Sequence, residues 1–167
     1  MNNEQLFLDE PFRSAWHDQD PFVAVEALQG EVFRELEARR TLRTEVSGRA
    51  YFVKIHRGVG WLEILKNLVS LRLPVLGAAN EWRAIQRLEK LGVGTMRAVA
   101  FGLRGRNPAT QHSFIVTEEL APTVSLEDFC RDWPRVPPAP GLKRALIERV
   151  ADMAGRMHRG GVNHRDF

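Results

Sequence analysis

One cysteine, Cys130, is all the thiol this sequence contains. That excludes an internal disulfide and a zinc site built from several thiolates. No apolar run approaches the ~20 residues that cross a bilayer as a helix. The opening stretch, Met1 to Trp16, lacks a basic region followed by an apolar one, so no secretory signal is expected and a cytosolic address follows. There is no internal repeat and no low-complexity tract. What remains is a 167-residue chain, 44% hydrophobic and 27% charged. Those values belong to a folded domain long enough to bury a sizeable core.

Charge is nearly balanced in number and uneven in place. The chain has 24 Lys and Arg against 21 Asp and Glu, for a formal net charge of +3. Residues 1–30 carry six acids and one base, Arg13, so the rest is distinctly basic. Basic stretches over 34–57 and 143–165 could attract phosphate groups on nucleic acid, nucleotide or lipid. No recognition helix or aromatic RNA platform accompanies them, and nucleic acid is not an expected partner.

Residues 1–30, with Pro11 and Pro21, read as an N-terminal extension packed on the main domain. From Val32 the pattern changes. Near-alternation of apolar and polar residues over 32–37 and 39–46 predicts two half-buried strands. Ser47-Gly48-Arg49 is a turn, and Ala50-Tyr51-Phe52-Val53-Lys54-Ile55 is a third strand rich in aromatic and β-branched residues. Residues 61–73 read as an amphipathic helix that stops before Pro74. With Trp61, Lys66 and Arg72 it is also the candidate for contact with a lipid surface, against the alternative of a helix packed on the sheet. Asn80 can cap a helix over 81–91 that Gly92 closes. Two more strands follow at 98–103 and 113–117. Ser125 starts a short helix, and Pro134, Pro137, Pro138 and Pro140 stiffen the connection after it. Leu142, Leu146, Val150, Met153 and Met157 then make the apolar stripe of a long helix that Gly160-Gly161 ends.

The expected fold is therefore α+β: a five-stranded antiparallel sheet with a helix inserted after its third strand, followed by helices. That order is the layout of a protein kinase, with the N-lobe over 31–120 and the beginning of the helical C-lobe over 121–167. Order alone is a weak guide to function.

Two sets of residues strengthen it. The stretch Met157-His158-Arg159-Gly160-Gly161-Val162-Asn163-His164-Arg165-Asp166-Phe167 reads M-H-x-x-G-V-x-H-R-D-F at the end of the long helix. It resembles the catalytic loop of the protein-kinase-like superfamily. Phosphoryl transfer from ATP needs a carboxylate to orient the acceptor hydroxyl and take its proton, and Asp166 is that candidate. His164 would buttress the loop and Arg165 could bind an acidic group. Upstream, Lys54 stands where the superfamily's third strand has V-A-I-K, a lysine that reaches ATP phosphates. Glu81, in the next major helix, is the carboxylate expected to hold it. Taken alone, Lys54 reads as a solvated strand lysine and Glu81 as an acid favoured by a helix dipole; their order ahead of His-Arg-Asp is what points to chemistry. Glu118 and Leu120, after the last strand, are the candidates for backbone contacts to the adenine edge. One feature of the superfamily is missing. Gly30-Glu31-Val32-Phe33-Arg34-Glu35 stands where a G-x-G-x-x-G loop would cradle phosphates, so other donors are needed, with Arg34, Arg39 and Arg40 as candidates.

Several runs are more specific than these superfamily motifs. Asp20-Pro21-Phe22, Gly30 to Glu37, Arg39-Arg40-Thr41, Tyr51 to Gly58, Asn80 to Ala84, Thr117 to Leu120 and His164 to Phe167 together resemble the bacterial lipopolysaccharide core heptose kinase family over essentially the whole sequence. The resemblance implies ATP-dependent phosphorylation of the first heptose of the inner core by a protein peripheral to the cytoplasmic face of the inner membrane. It implies ATP and Mg²⁺ as cofactors, with the magnesium ligands expected beyond Phe167 and no metal ligand assigned within the chain. Without that segment the 167 residues alone are expected to be inactive, and α-helical apolar surface near the C-terminus to be exposed. The alternatives are another kinase-like phosphotransferase, such as a Kdo kinase or a protein kinase, and a non-catalytic kinase-like binding module.

Overall fold

The computed structural model describes residues 4–58, 60–61, 77–107 and 109–162. The chain divides into two compact units, Met1–Ile85 with Met96–Glu119, and Gln86–Thr95 with Leu120–Phe167.

The first unit is built on one antiparallel sheet. Its strands are β1 (Glu4–Leu8), β2 (Glu31–Leu36), β3 (Arg39–Val46), β4 (Arg49–His56), β5 (Ala98–Arg104) and β6 (His112–Glu118). Their order in space is β1-β5-β6-β4-β3-β2. The sequence reading expected five strands, and the sixth is β1. It lies in what was read as an extension and pairs antiparallel with β5, Phe7 opposite Phe101. Glu4 to Leu8 is short and exposed along most of its length, so its alternation is too brief to be told from a loop by pattern alone.

Alternation gives the sheet two apolar faces. On one, Leu42, Tyr51, Val53, Ile55, Phe114 and Val116 meet Phe12 of the α1 turn (Phe12–Ala15), Trp16 that caps it, and Phe22 and Val25 of α2 (Pro21–Ala27). Asp20 caps α2, its carboxylate accepting from the Phe22 amide at 2.9 Å, and Pro21 takes the first helical position. On the other face, Phe101, Leu103 and Ile115 receive Ala78, Trp82 and Ile85 from the start of α3 (Ala79–Lys90). The Trp82 ring stacks on Phe101 at 5.0 Å and 5°, and Phe7 of β1 closes on the same indole at 4.9 Å.

The acid-rich N-terminal segment is spent on arginines of the sheet. Glu4 and Asp20 both pair with Arg104 at 2.8 Å, Asp9 pairs with Arg97, and Glu26 pairs with Arg57 at 2.7 Å. Much of the charge asymmetry along the sequence is thus cancelled within the fold.

The second unit contains α4 (Leu126–Cys130) and the 20-residue α5 (Pro140–Arg159). An apolar groove of about 360 Å³ lies between them, lined by Leu126, Trp133, Leu146 and Val150 among others. Leu142 and Ile147 of α5 are exposed. α5 ends in a Schellman motif: Gly161 takes φ +72°, its N–H donates to His158 O, and the Val162 N–H donates to Met157 O. The M-H-x-x-G-V signature is this helix terminus, read as sequence. Arg87 and Arg156 donate to the carbonyls of Gly160 and Gly92 at 3.0 and 2.8 Å.

Candidate functional site

Lys54 is placed by its neighbours. Val53 and Ile55 are fully buried on the α1–α2 face of β4, so the strand's period of two sends Lys54 to the α3 face. Its Nζ lies 2.7 Å from Glu81 Oε1, and both side chains keep 27% of their surface exposed. Glu81 sits in the first turn of α3. Its position is set by the Trp82 stack beside it and by the chain entering the helix. The Ala78 amide donates to Ser113 Oγ at 3.1 Å, and Gly77 comes so close to that hydroxyl that a Cβ would stand 2.5 Å from it. The lysine and glutamate that the sequence singled out are therefore one ion pair, held from both elements.

A row of side chains surrounds this pair, and of them only Arg39 is singled out by the sequence. The register across the sheet runs Phe101, Ile115, Lys54, Thr41, and cross-strand partners share a face. The neighbouring rung brings His56 opposite Arg39, and the other brings Phe52 opposite Arg43. His56 is buried, and its imidazole is pushed down to about 4, first by burial, then by the positive charge of Arg39 and less by Lys54, with Glu81 acting in the other direction. It is neutral at physiological pH. Phe33 of β2 packs on Phe52, ring centroids 5.7 Å apart, and leaves an exposed aromatic surface. Thr41 Oγ1 and Arg39 Nε are both buried with no hydrogen-bond partner among the described residues. Only the alternation of β3 and β4 signals these residues in the sequence, and alternation does not reveal which strands adjoin.

The three arginines named as substitutes for a glycine-rich loop part company. Arg40 points to the α2 side, pairs with Glu35 at 3.0 Å and donates to Glu26 O at 2.9 Å. Arg34 is exposed. Arg39 stands on the Lys54 side. The lone Gly30 has a packing role, because a Cβ there would lie 2.0 Å from Arg43 O. The hairpin between β2 and β3 is a two-residue turn at Glu37 and Ala38.

Glu118, at the end of β6, donates its N–H to Arg97 O at 2.9 Å, and its carboxylate pairs with Arg97 at 2.8 Å. Its amide and its carboxylate are thus both engaged with Arg97. Leu120 belongs to the second unit and is exposed. His164, Arg165 and Asp166 lie outside the described residues, as does the expected helix 61–73 after Trp61. α5 closes at Gly161, three positions before His164 in the sequence. Among the described residues no group of three or more His, Cys, Asp or Glu is placed to hold a metal ion, so no magnesium ligand is assigned to them. No helix among them is long and apolar enough to cross a membrane.

An antiparallel sheet carrying a lysine paired to a glutamate on the helix behind it, followed by a long helix running into His-Arg-Asp, is the plan of the protein-kinase-like fold. The model of the lipopolysaccharide kinase (Kdo/WaaP) family matches residues 23–167, and the chain belongs to that family. It is 68% identical over 162 residues to a lipopolysaccharide core heptose(I) kinase WaaP of Pseudomonas aeruginosa, covering 97% of this chain and 60% of that one. Against the protein of the same name from Escherichia coli it is 60% identical over 159 residues, covering 95% and 60%. The chain thus spans about three-fifths of the length of these curated relatives. A solved structure described as WaaP in complex with acyl carrier protein superposes with a TM-score of 0.79 at 61% identity, over 93% of this chain and 57% of that one.

Proposed function

We propose that this protein, as part of an intact enzyme, transfers the γ-phosphoryl group of ATP to the first heptose of the lipopolysaccharide inner core. The Lys54–Glu81 ion pair at 2.7 Å carries the reading, supported by identity of 68% to a heptose(I) kinase. A lysine so held presents its ammonium to the nucleotide phosphates instead of wandering in solvent. Asp166 orients the acceptor hydroxyl and accepts its proton as the oxygen attacks the γ-phosphorus and ADP departs. His164 steadies that loop, and Arg165 neutralises an acidic group beside it. The Glu118 carbonyl and the Leu120 backbone contact the adenine edge. Mg²⁺, when bound, neutralises charge on the phosphates.

Work on a lipid-linked sugar at the cytoplasmic face of the inner membrane suits this role, and acyl carrier protein is a proposed partner because the solved relative is described in complex with it. A Kdo acceptor is the second reading, since the family description includes Kdo kinases. Mass spectrometry of core oligosaccharide from cells lacking the gene separates the two. Loss of one phosphate from the inner heptose, restored by the intact gene but not by Asp166→Ala, supports the heptose. Loss from Kdo favours the second reading, and an unchanged core rejects both.

A further inference from the structure

Arg39 is a half-buried cation with no carboxylate partner among the described residues. Its less exposed neighbours are matched: Arg40 by Glu35, Arg43 by both carboxylate oxygens of Glu119 at 2.8 Å, Lys54 by Glu81, and Arg57, just past β4, by Glu26, whereas Arg34 and Arg49 are exposed to solvent. A guanidinium cannot shed its proton, and an unsatisfied buried N–H on a charged group is costly. Its charge is felt locally, as the downward push on the neighbouring His56 shows. With His56 neutral and the Lys54–Glu81 and Arg43–Glu119 pairs each cancelled, Arg39 and the exposed Arg34, opposite Thr41, leave this side of the sheet with an excess of positive charge.

The place of Arg39 is as telling as its charge. It is the first residue after the Glu37–Ala38 turn of the β2–β3 hairpin. In nucleotide sites with a glycine-rich loop, the backbone amides of such a loop supply donors to phosphate oxygens. This hairpin has two turn residues and no glycine, and Gly30 is committed to packing on Arg43. Thr41, two residues on and directly opposite Lys54, adds a second buried polar atom without a partner.

We propose that Arg39 is a phosphate-binding residue that acts beside Lys54 in place of a glycine-rich loop, its fork of N–H donors engaging the oxygens of a nucleoside triphosphate. This rests on the kinase reading above. The triphosphate carries more negative charge than one lysine neutralises, and a planar guanidinium matches paired phosphate oxygens.

The test is equilibrium binding of ATP and of adenosine to the intact protein and to Arg39→Gln and Arg39→Lys. Arg39→Gln should weaken ATP at least 10-fold and leave adenosine within 2-fold, while Arg39→Lys recovers part of the loss. ATP bound equally well by the unmutated protein and Arg39→Gln overturns the assignment and leaves the kinase reading standing. Equal weakening of ATP and adenosine also overturns it, since that marks a structural cation. An acidic group on the acceptor as the true ligand shows as unchanged ATP binding with a raised KM for acceptor, again against the proposal. No ATP binding by the unmutated protein overturns the kinase reading and this inference with it.

Discussion

Arg39 and Arg40 are adjacent in the chain and project from opposite faces of β3. Arg40 is locked between Glu35 and the Glu26 carbonyl on the α2 side, while Arg39 faces the side that holds Lys54, opposite His56. One arginine builds the fold, and its neighbour has no carboxylate partner among the described residues. The difference is one residue of register, since each step along a strand reverses the face.

Lys54→Met should leave the protein folded and remove its chemistry. The Lys54–Glu81 pair is partly exposed on both sides, and such pairs contribute at most about 1 kcal/mol to stability. If it orients phosphates as proposed, kcat/KM for ATP should fall by about two orders of magnitude while the urea midpoint barely moves. Glu81→Gln should cost less, because a hydrogen bond to the ammonium survives. Full activity in Lys54→Met would sink the assignment of the site.

Stability should decline in mild acid because of His56. Its folded-state value is lowered from 6.5 to about 4. Between those values the unfolded chain binds a proton that the folded chain does not, so stability falls as pH drops from 6.5 to 4. His112, also lowered by burial, contributes in the same direction. Urea midpoints of the unmutated protein and His56→Gln, compared at pH 7.5 and 4.5, isolate the His56 share: the variant should lose less on acidification. Equal losses would show that His56 does not titrate in this way.

Gly161→Ala tests whether the α5 terminus aims the catalytic loop. A Cβ at Gly161 would meet nothing within 4 Å, so the cost is that of φ +72° alone. That is about 1 kcal/mol for alanine and less for asparagine. Because the terminus leads directly to His164, turnover should drop more than the stability loss accounts for, and Gly161→Asn should fall between. Turnover unchanged in a variant destabilised by that amount would detach the helix end from catalysis.

Much of the layout is legible in the sequence. The meander over β2 to β4, the pair β5 and β6, and the start and stop of α5 follow from period, turn residues and capping, all of which act within a few residues. β1 escaped notice because Glu4 to Leu8 is a short edge strand whose meaning lies in its partner, and Phe7 shows the consequence by helping to seat Trp82 beside Glu81. The Lys54–Glu81 pair was legible as a motif, but Thr41, His56 and the Phe33–Phe52 contact were not, since each depends on which strand lies beside β4.

By itself, the amino-acid order determined most of the elements, the kinase-like sequence of strands and helices, and the lysine, glutamate and aspartate proposed to carry the chemistry. Those are local or motif-borne properties, written in adjacent residues. Tertiary structure alone decided which charges cancel. Arg104 finds Glu4 and Asp20, Arg43 finds Glu119 and Lys54 finds Glu81 across separations of 27 to 100 residues. Arg39 has no such partner among the described residues. Pairing of that kind is a matter of distance in space, and no pattern along the chain encodes it.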